Sequence, residues 1–147
     1  MTLKTRITDD MKDAMRAKAA ARLSTIRLLL AAIKQKEVDE RVEVSDGDIV
    51  AIIERMIKQR RESVTQFEAG KRPDLAASER AEIEILQSYM PQALSESEVD
   101  ALIVAAVAQS GGGMAAMGKV MAVLKPQLAG RADMGAVSAK VRAKLSA

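Results

Sequence analysis

Cysteine, histidine and tryptophan are all missing from this 147-residue chain, and Phe67 and Tyr89 are its only aromatic residues. Without cysteine there is no disulfide and no thiol nucleophile. Without cysteine or histidine, the usual zinc ligand sets and imidazole acid–base chemistry are excluded. Any catalysis would have to run on carboxylates, lysines, hydroxyls or groups borrowed from a partner, and no cofactor is implied. With so few aromatics, Leu, Ile, Val, Met and Ala must fill the core, which favours helices over sheets. The nine methionines suit such a core. No apolar run approaches the roughly 18 residues that span a bilayer, and MTLKTRITDDMKDAM has no apolar signal core. The expectation is a cytoplasmic protein with no membrane partner.

What is present is ordinary for a folded chain: 48% hydrophobic and 29% charged residues. The net charge of +3 is unevenly placed. Residues 114–147 hold Lys119, Lys125, Arg131, Lys140, Arg142 and Lys144 against Asp133 alone, a local charge of +5. A basic terminal module of this kind can face the phosphates of RNA or present an ordinary solvated surface.

Helical periodicity runs through nearly the whole chain. Helices are predicted over about residues 2–17, 20–38, 47–69 and 75–89, with Ser45 or Asp46 as a cap, Gly70 as a stop and Asp74 as a start. The second carries Leu23, Ile26, Leu30 and Ile33 on one stripe and Leu28 on the other side, so it is expected to lie between neighbours. After a hinge at PQALS, Ser95 and Glu98 have capping-box spacing and place ALIVAAVA inside a helix from about residue 96. A helix over about 114–128 and a last one capped by Asp133 complete the chain. The prediction is an all-α protein: a bundle of about four helices over residues 1–92, then a small three-helix tail domain over 93–147.

Two stretches invite chemical readings. In SGGGMAAMGKV the order Gly113, Gly118, Lys119 matches a phosphate-binding loop, but Val120 stands where that loop needs Ser or Thr for magnesium. The apolar run before it belongs to a capped helix rather than a strand, so the glycines are expected to form a helix–helix turn. Glu79 and Glu82 share a helix face with Leu75, Leu86 and Tyr89, while Arg60 interrupts the apolar stripe of the third helix. Paired carboxylates can hold a metal or exchange protons. Alternatively, Arg60 neutralises one or both across the helix contact and fixes its register. Metal sites in bundles usually draw on histidines or further carboxylates, so the structural ion pair is favoured and no metal or catalytic residue is assigned.

The segments RLSTIRLLLAAIKQKEVD, FEAGKRPDLAASERAEIEILQSYMPQALSESE and MGKVMAVLKPQLAGRADMGAVS resemble the YqeY family, over essentially the whole chain. The most specific pieces are Gly70 to Leu75, Tyr89-Met90-Pro91 and Gly130 to Asp133; the family typically has Leu in place of Met90. YqeY is related to the C-terminal region of GatB, a subunit of the bacterial Asp/Glu-tRNA amidotransferase, whose tail binds tRNA while catalysis happens elsewhere. The resemblance implies a helical bundle with a three-helix tail. It also implies a tRNA- or RNA-binding accessory protein with candidate contacts at Lys119, Lys125, Arg131, Lys140, Arg142 and Lys144. A tRNA-modifying or aminoacylating enzyme is an implied partner. Two alternatives stand beside it: an amidotransferase-like carbon–nitrogen ligase using glutamine with partner subunits, and a protein-binding adaptor acting through the N-terminal bundle.

Overall fold

The computed structural model describes residues 1–146, which form seven α-helices, one short 3-10 turn and no strand. The chain is all-α. The helices are α1 (Leu3–Arg16), α2 (Ala20–Glu40), α3 (Asp46–Ala69), α4 (Pro73–Gln87), α5 (Glu96–Ser110), α6 (Met117–Leu128) and α7 (Met134–Leu145). Contacts along the chain separate two compact units, which part between Met90 and Pro91.

In the first unit α1 to α4 share a core of aliphatic side chains. Ile7, Ile26, Leu29, Ile33, Ile49, Ile53 and Leu86 are all buried. Of the two possible caps for α3, Ser45 serves: its Oγ accepts from the Asp48 amide at 3.1 Å, and Asp48 Oδ2 accepts from the Ser45 amide at 3.0 Å. These reciprocal bonds satisfy two otherwise orphaned donors and hold the Asp48 carboxyl below its ordinary range, the Ser45 amide being the largest cause.

Helix α3 stops at Gly70 as expected, while two details of the turn between α3 and α4 come from the structure. Gly70 has φ −82°, and the left-handed residue is Lys71 at φ +57°. The glycine is used for close approach, since a Cβ there would lie 3.3 Å from the Gln66 carbonyl oxygen. The left-handed step lets the Arg72 amide reach the Phe67 carbonyl at 2.8 Å, closing the helix end. Second, α4 starts at Pro73, whose fixed φ and missing N–H suit the first helical position. Asp74 therefore sits inside the first turn and pairs with Arg72 at 3.0 Å instead of capping.

The second unit has its own core, formed by Val99, Ile103, Val120, Leu124, Leu128, Val137, Val141 and Leu145 from three helices. Ser95 Oγ accepts from the Glu98 amide at 3.2 Å, while the return bond of a capping box is not formed. Gly111, Gly112 and Gly113 all have φ between +81° and +85°, a run only glycine adopts readily. They link α5 to a 3-10 turn (Met114–Ala116) that leads directly into α6. No single described helix is long and apolar enough to cross a membrane. Only α5 joined to the segment Met114–Leu128 would reach that length, and the pair is bent by 110° at the glycines.

Candidate nucleic-acid interface

The six cations singled out from the sequence fall into two groups in the second unit. Lys119 and Lys125 lie on α6, and Arg142 and Lys144 in the last part of α7; all four are exposed. Among the described residues none has a carboxylate within 4 Å. The one acid in this stretch, Asp133, is turned into the start of α7, where its Oδ1 accepts from the Gly135 amide at 2.9 Å. Among the described residues these four charges therefore have no neutralising partner, and helices α6 and α7 that carry them pack on each other.

Lys140 and Arg131 are differently placed. Lys140 Nζ donates to Asp100 Oδ1 at 2.8 Å and lies 3.3 Å from Glu96 Oε1, tying α7 to the first turns of α5. The Asp100 hydrogen bond, with help from Glu96, raises its pKa against the opposing effect of desolvation. Unlike the four exposed cations, it is already paired with two carboxylates. Arg131 Nε donates to the Gln92 carbonyl at 3.1 Å, and the Arg131 carbonyl accepts from the Leu94 amide at 2.9 Å. Residues 92–94 are thereby fastened to the α6–α7 turn. Arg131 has a structural task before any binding task.

In the first unit, Arg60 Nε donates to Glu82 Oε2 at 2.8 Å, joining α3 to α4. Its guanidinium also donates to the Met56 carbonyl at 3.3 Å. Both side chains are largely covered, at 13% and 31% exposure. Glu79 shares that face of α4 but has no basic partner within 4 Å among the described residues, so Arg60 neutralises one glutamate, not two. No group of three or more acidic side chains among the described residues is placed to hold a metal ion.

One polar cluster was not singled out from the sequence. Tyr89, 3% exposed, donates its hydroxyl to Asp10 Oδ2 at 2.6 Å. Arg22 reaches the same oxygen at 3.8 Å. Arg6 lies over the Tyr89 ring, 5.0 Å from its centre, and donates to the Ser88 carbonyl at 3.2 Å. Burial, followed by the Asp10 carboxylate, pushes the Tyr89 phenol above its ordinary pKa. The available signal was the rarity of the residue: a lone tyrosine, in Tyr89-Met90-Pro91, at the end of an apolar helix face.

Together these observations define an all-α protein with two helical units, the second carrying four exposed cations on α6 and α7 with no carboxylate within 4 Å among the described residues. The chain matches the family described as Yqey-like protein over residues 4–145, and it belongs to that family. It is also similar to proteins named "Altered inheritance of mitochondria protein 41, mitochondrial". The one from Pyrenophora tritici-repentis is 32% identical over 140 residues, covering 93% of this chain and 77% of that protein. The Saccharomyces cerevisiae protein is 38% identical over 92 residues, covering 62% and 50%. That from Lachancea thermotolerans is 38% identical over 97 residues, covering 64% and 52%. The matched part is thus about half the length of these two yeast relatives. The expectation of a cytoplasmic protein is contradicted by these names, all of which are mitochondrial. It had rested on the lack of an apolar signal core, a feature that does not specify a compartment.

Proposed function

We propose that this protein is an RNA-binding accessory protein whose second unit grips tRNA or a related RNA through phosphate contacts. The reading treats residues 1–92 as a four-helix bundle and residues 93–147 as a tail module resembling that of GatB. The observation that carries it is the set of four exposed cations, Lys119, Lys125, Arg142 and Lys144, unpaired among the described residues, on two packed helices whose one acid is consumed as a cap. Ammonium and guanidinium groups meet phosphate oxygens without reading sequence, and neither of the chain's two aromatics lies in this unit to stack on a base. Affinity should be strongly salt-dependent and sequence preference weak.

The test is binding of bulk tRNA, and of mitochondrial tRNA given the names of the relatives, to the full chain across a salt titration. The fourfold variant Lys119→Gln, Lys125→Gln, Arg142→Gln, Lys144→Gln should abolish most of the salt dependence. Binding that is absent at low salt, or unchanged by that variant, overturns the proposal. Carbon–nitrogen ligase chemistry rests on the GatB resemblance alone. Glutamine-dependent conversion of misacylated tRNA by the purified chain would replace the present reading with that one.

A further inference from the structure

Helix α2 is apolar on two sides, and only one of them is covered. Its inward side supplies Ile26, Leu29 and Ile33 to the core. Its outward side carries Ala21, Ser24, Leu28, Ala31, Gln35 and Val38, all exposed, at alternating spacings of three and four residues. That spacing lines them up along one helix face. The strip holds no charge over about 26 Å of helix, in a chain where 29% of residues are charged. Leu28 and Val38 are 49% and 62% exposed, and a groove of about 380 Å³ lined by Ala20, Leu23, Ser24, Arg27 and Leu28 opens at its N-terminal end.

The charges bordering the strip differ between its two edges. On one edge Lys36 pairs with Glu40 at 3.0 Å, and Asp39 is held by the Gln35 amide at 2.9 Å. On the other stand Arg27 and Lys34, seven residues apart, both exposed and neither within 4 Å of a carboxylate among the described residues. An uncharged, mostly apolar seam at heptad spacing, interrupted by Ser24 and Gln35, with a basic edge unpaired among the described residues is complementary to an amphipathic helix with an acidic edge. A second copy of the same helix fits poorly. Antiparallel pairing would set Arg27 of one copy against Lys34 of the other, and parallel pairing would leave Arg27 facing Ala32.

We propose that the outward face of α2 is the docking seam for an amphipathic helix of a partner protein, with that helix's carboxylates set against Arg27 and Lys34. The proposal does not depend on the RNA-binding reading, since it concerns the other unit and none of the same residues. Its energetic centre is the pair of exposed aliphatics, Leu28 and Val38, with the basic edge selecting partner and orientation.

The probe is a synthetic 21-residue helix with leucines at the same alternating spacing and glutamates on its flanks, compared with a counterpart carrying lysines there. Because the chain has no cysteine, Ala31→Cys provides a single site for an environment-sensitive dye on the intact protein. The acidic-flanked helix should bind saturably, shift the dye emission to the blue, and bind at least tenfold tighter than its lysine counterpart. The variant Leu28→Glu with Val38→Glu, checked for unchanged helix content by circular dichroism, should weaken it at least tenfold. Arg27→Glu with Lys34→Glu should reverse the preference between the two peptides. Equal affinity for both peptides, no binding, or binding indifferent to Leu28 and Val38 overturns the proposal. So does a dimer in sedimentation that Leu28→Glu with Val38→Glu converts to a monomer, which would make the occupant a second copy. A loss of tRNA affinity in Arg27→Glu with Lys34→Glu would assign that edge to nucleic acid instead.

Discussion

Tyr89 donates its hydroxyl to Asp10 at 2.6 Å, bringing together residues 79 positions apart and joining the end of the first unit to its first helix. The tyrosine is buried and the carboxylate half-buried, so the bond replaces water for the donor more than for the acceptor. Tyr89→Phe should therefore lower stability by about 1–2 kcal/mol, as for a hydrogen bond to a charged group whose acceptor can partly rehydrate. Urea denaturation followed by circular dichroism would show a lower midpoint with an unchanged slope.

The same bond has a pH signature. Burial and Asp10 raise the phenol's folded-state pKa above its ordinary 10.0. The stabilisation from keeping it neutral is fully present below pH 10.0 and is lost as pH rises beyond that value, because the unfolded chain ionises first. The stability difference between the wild type and Tyr89→Phe should be flat at neutral pH and shrink above pH 10. A difference that grows with alkaline pH would contradict the geometry.

Arg60 and Glu82 make the clearest case for a double-mutant cycle. Arg60→Met strands a partly covered glutamate and should cost about 1–2 kcal/mol, below the range for fully buried pairs because Glu82 retains some access to water. Adding Glu82→Leu should recover most of that loss. If the double variant is as unstable as the single one, the pair contributes by packing and not by charge.

The glycine turn of the second unit can be tested at Gly112. A Cβ there meets nothing within 4 Å, so Gly112→Ala is opposed by backbone conformation alone, at φ +81°. The expected cost is about 1–2 kcal/mol for a left-handed alanine. Thermal unfolding of the full chain would register it, and a neutral result would mean that the turn rearranges without penalty.

Lys140 and Lys144 lie one helical turn apart and should behave oppositely. Lys140→Gln removes the tie to Asp100 and Glu96, so it should lower the thermal midpoint while leaving the salt slope of tRNA binding unchanged. Lys144→Gln should leave the midpoint alone and reduce that slope by roughly 0.7–0.9, one phosphate contact. Because Lys140's pKa is raised, its stabilisation persists below the ordinary 10.5 and fades as pH rises past it.

Much of the helical architecture was legible from local pattern. Ser45, Ser95 and Asp133 cap the helices that follow them, and the three glycines form a turn and not a nucleotide loop. Where local reading missed, competing local preferences decided the outcome. Pro73 took the first helical position from the residues after it, and Lys71 took the left-handed angle that glycine would ordinarily supply. The second side of α2 was legible as apolar, but its expected neighbour is not among the described residues of this chain: Leu28 stands half-exposed.

By itself, the sequence determined that the protein is helical, that its core is aliphatic, and that its last third is basic. Each follows from composition and from periodicities that act within a few residues. Only tertiary structure decided which of those charges are spent. Lys140 meets Asp100 across 40 positions and Glu96 across 44, Arg60 meets Glu82 across 22, and Tyr89 finds Asp10 across 79. Such pairings depend on how helices stack, and the spacing of residues along one helix cannot encode the partner that another helix brings.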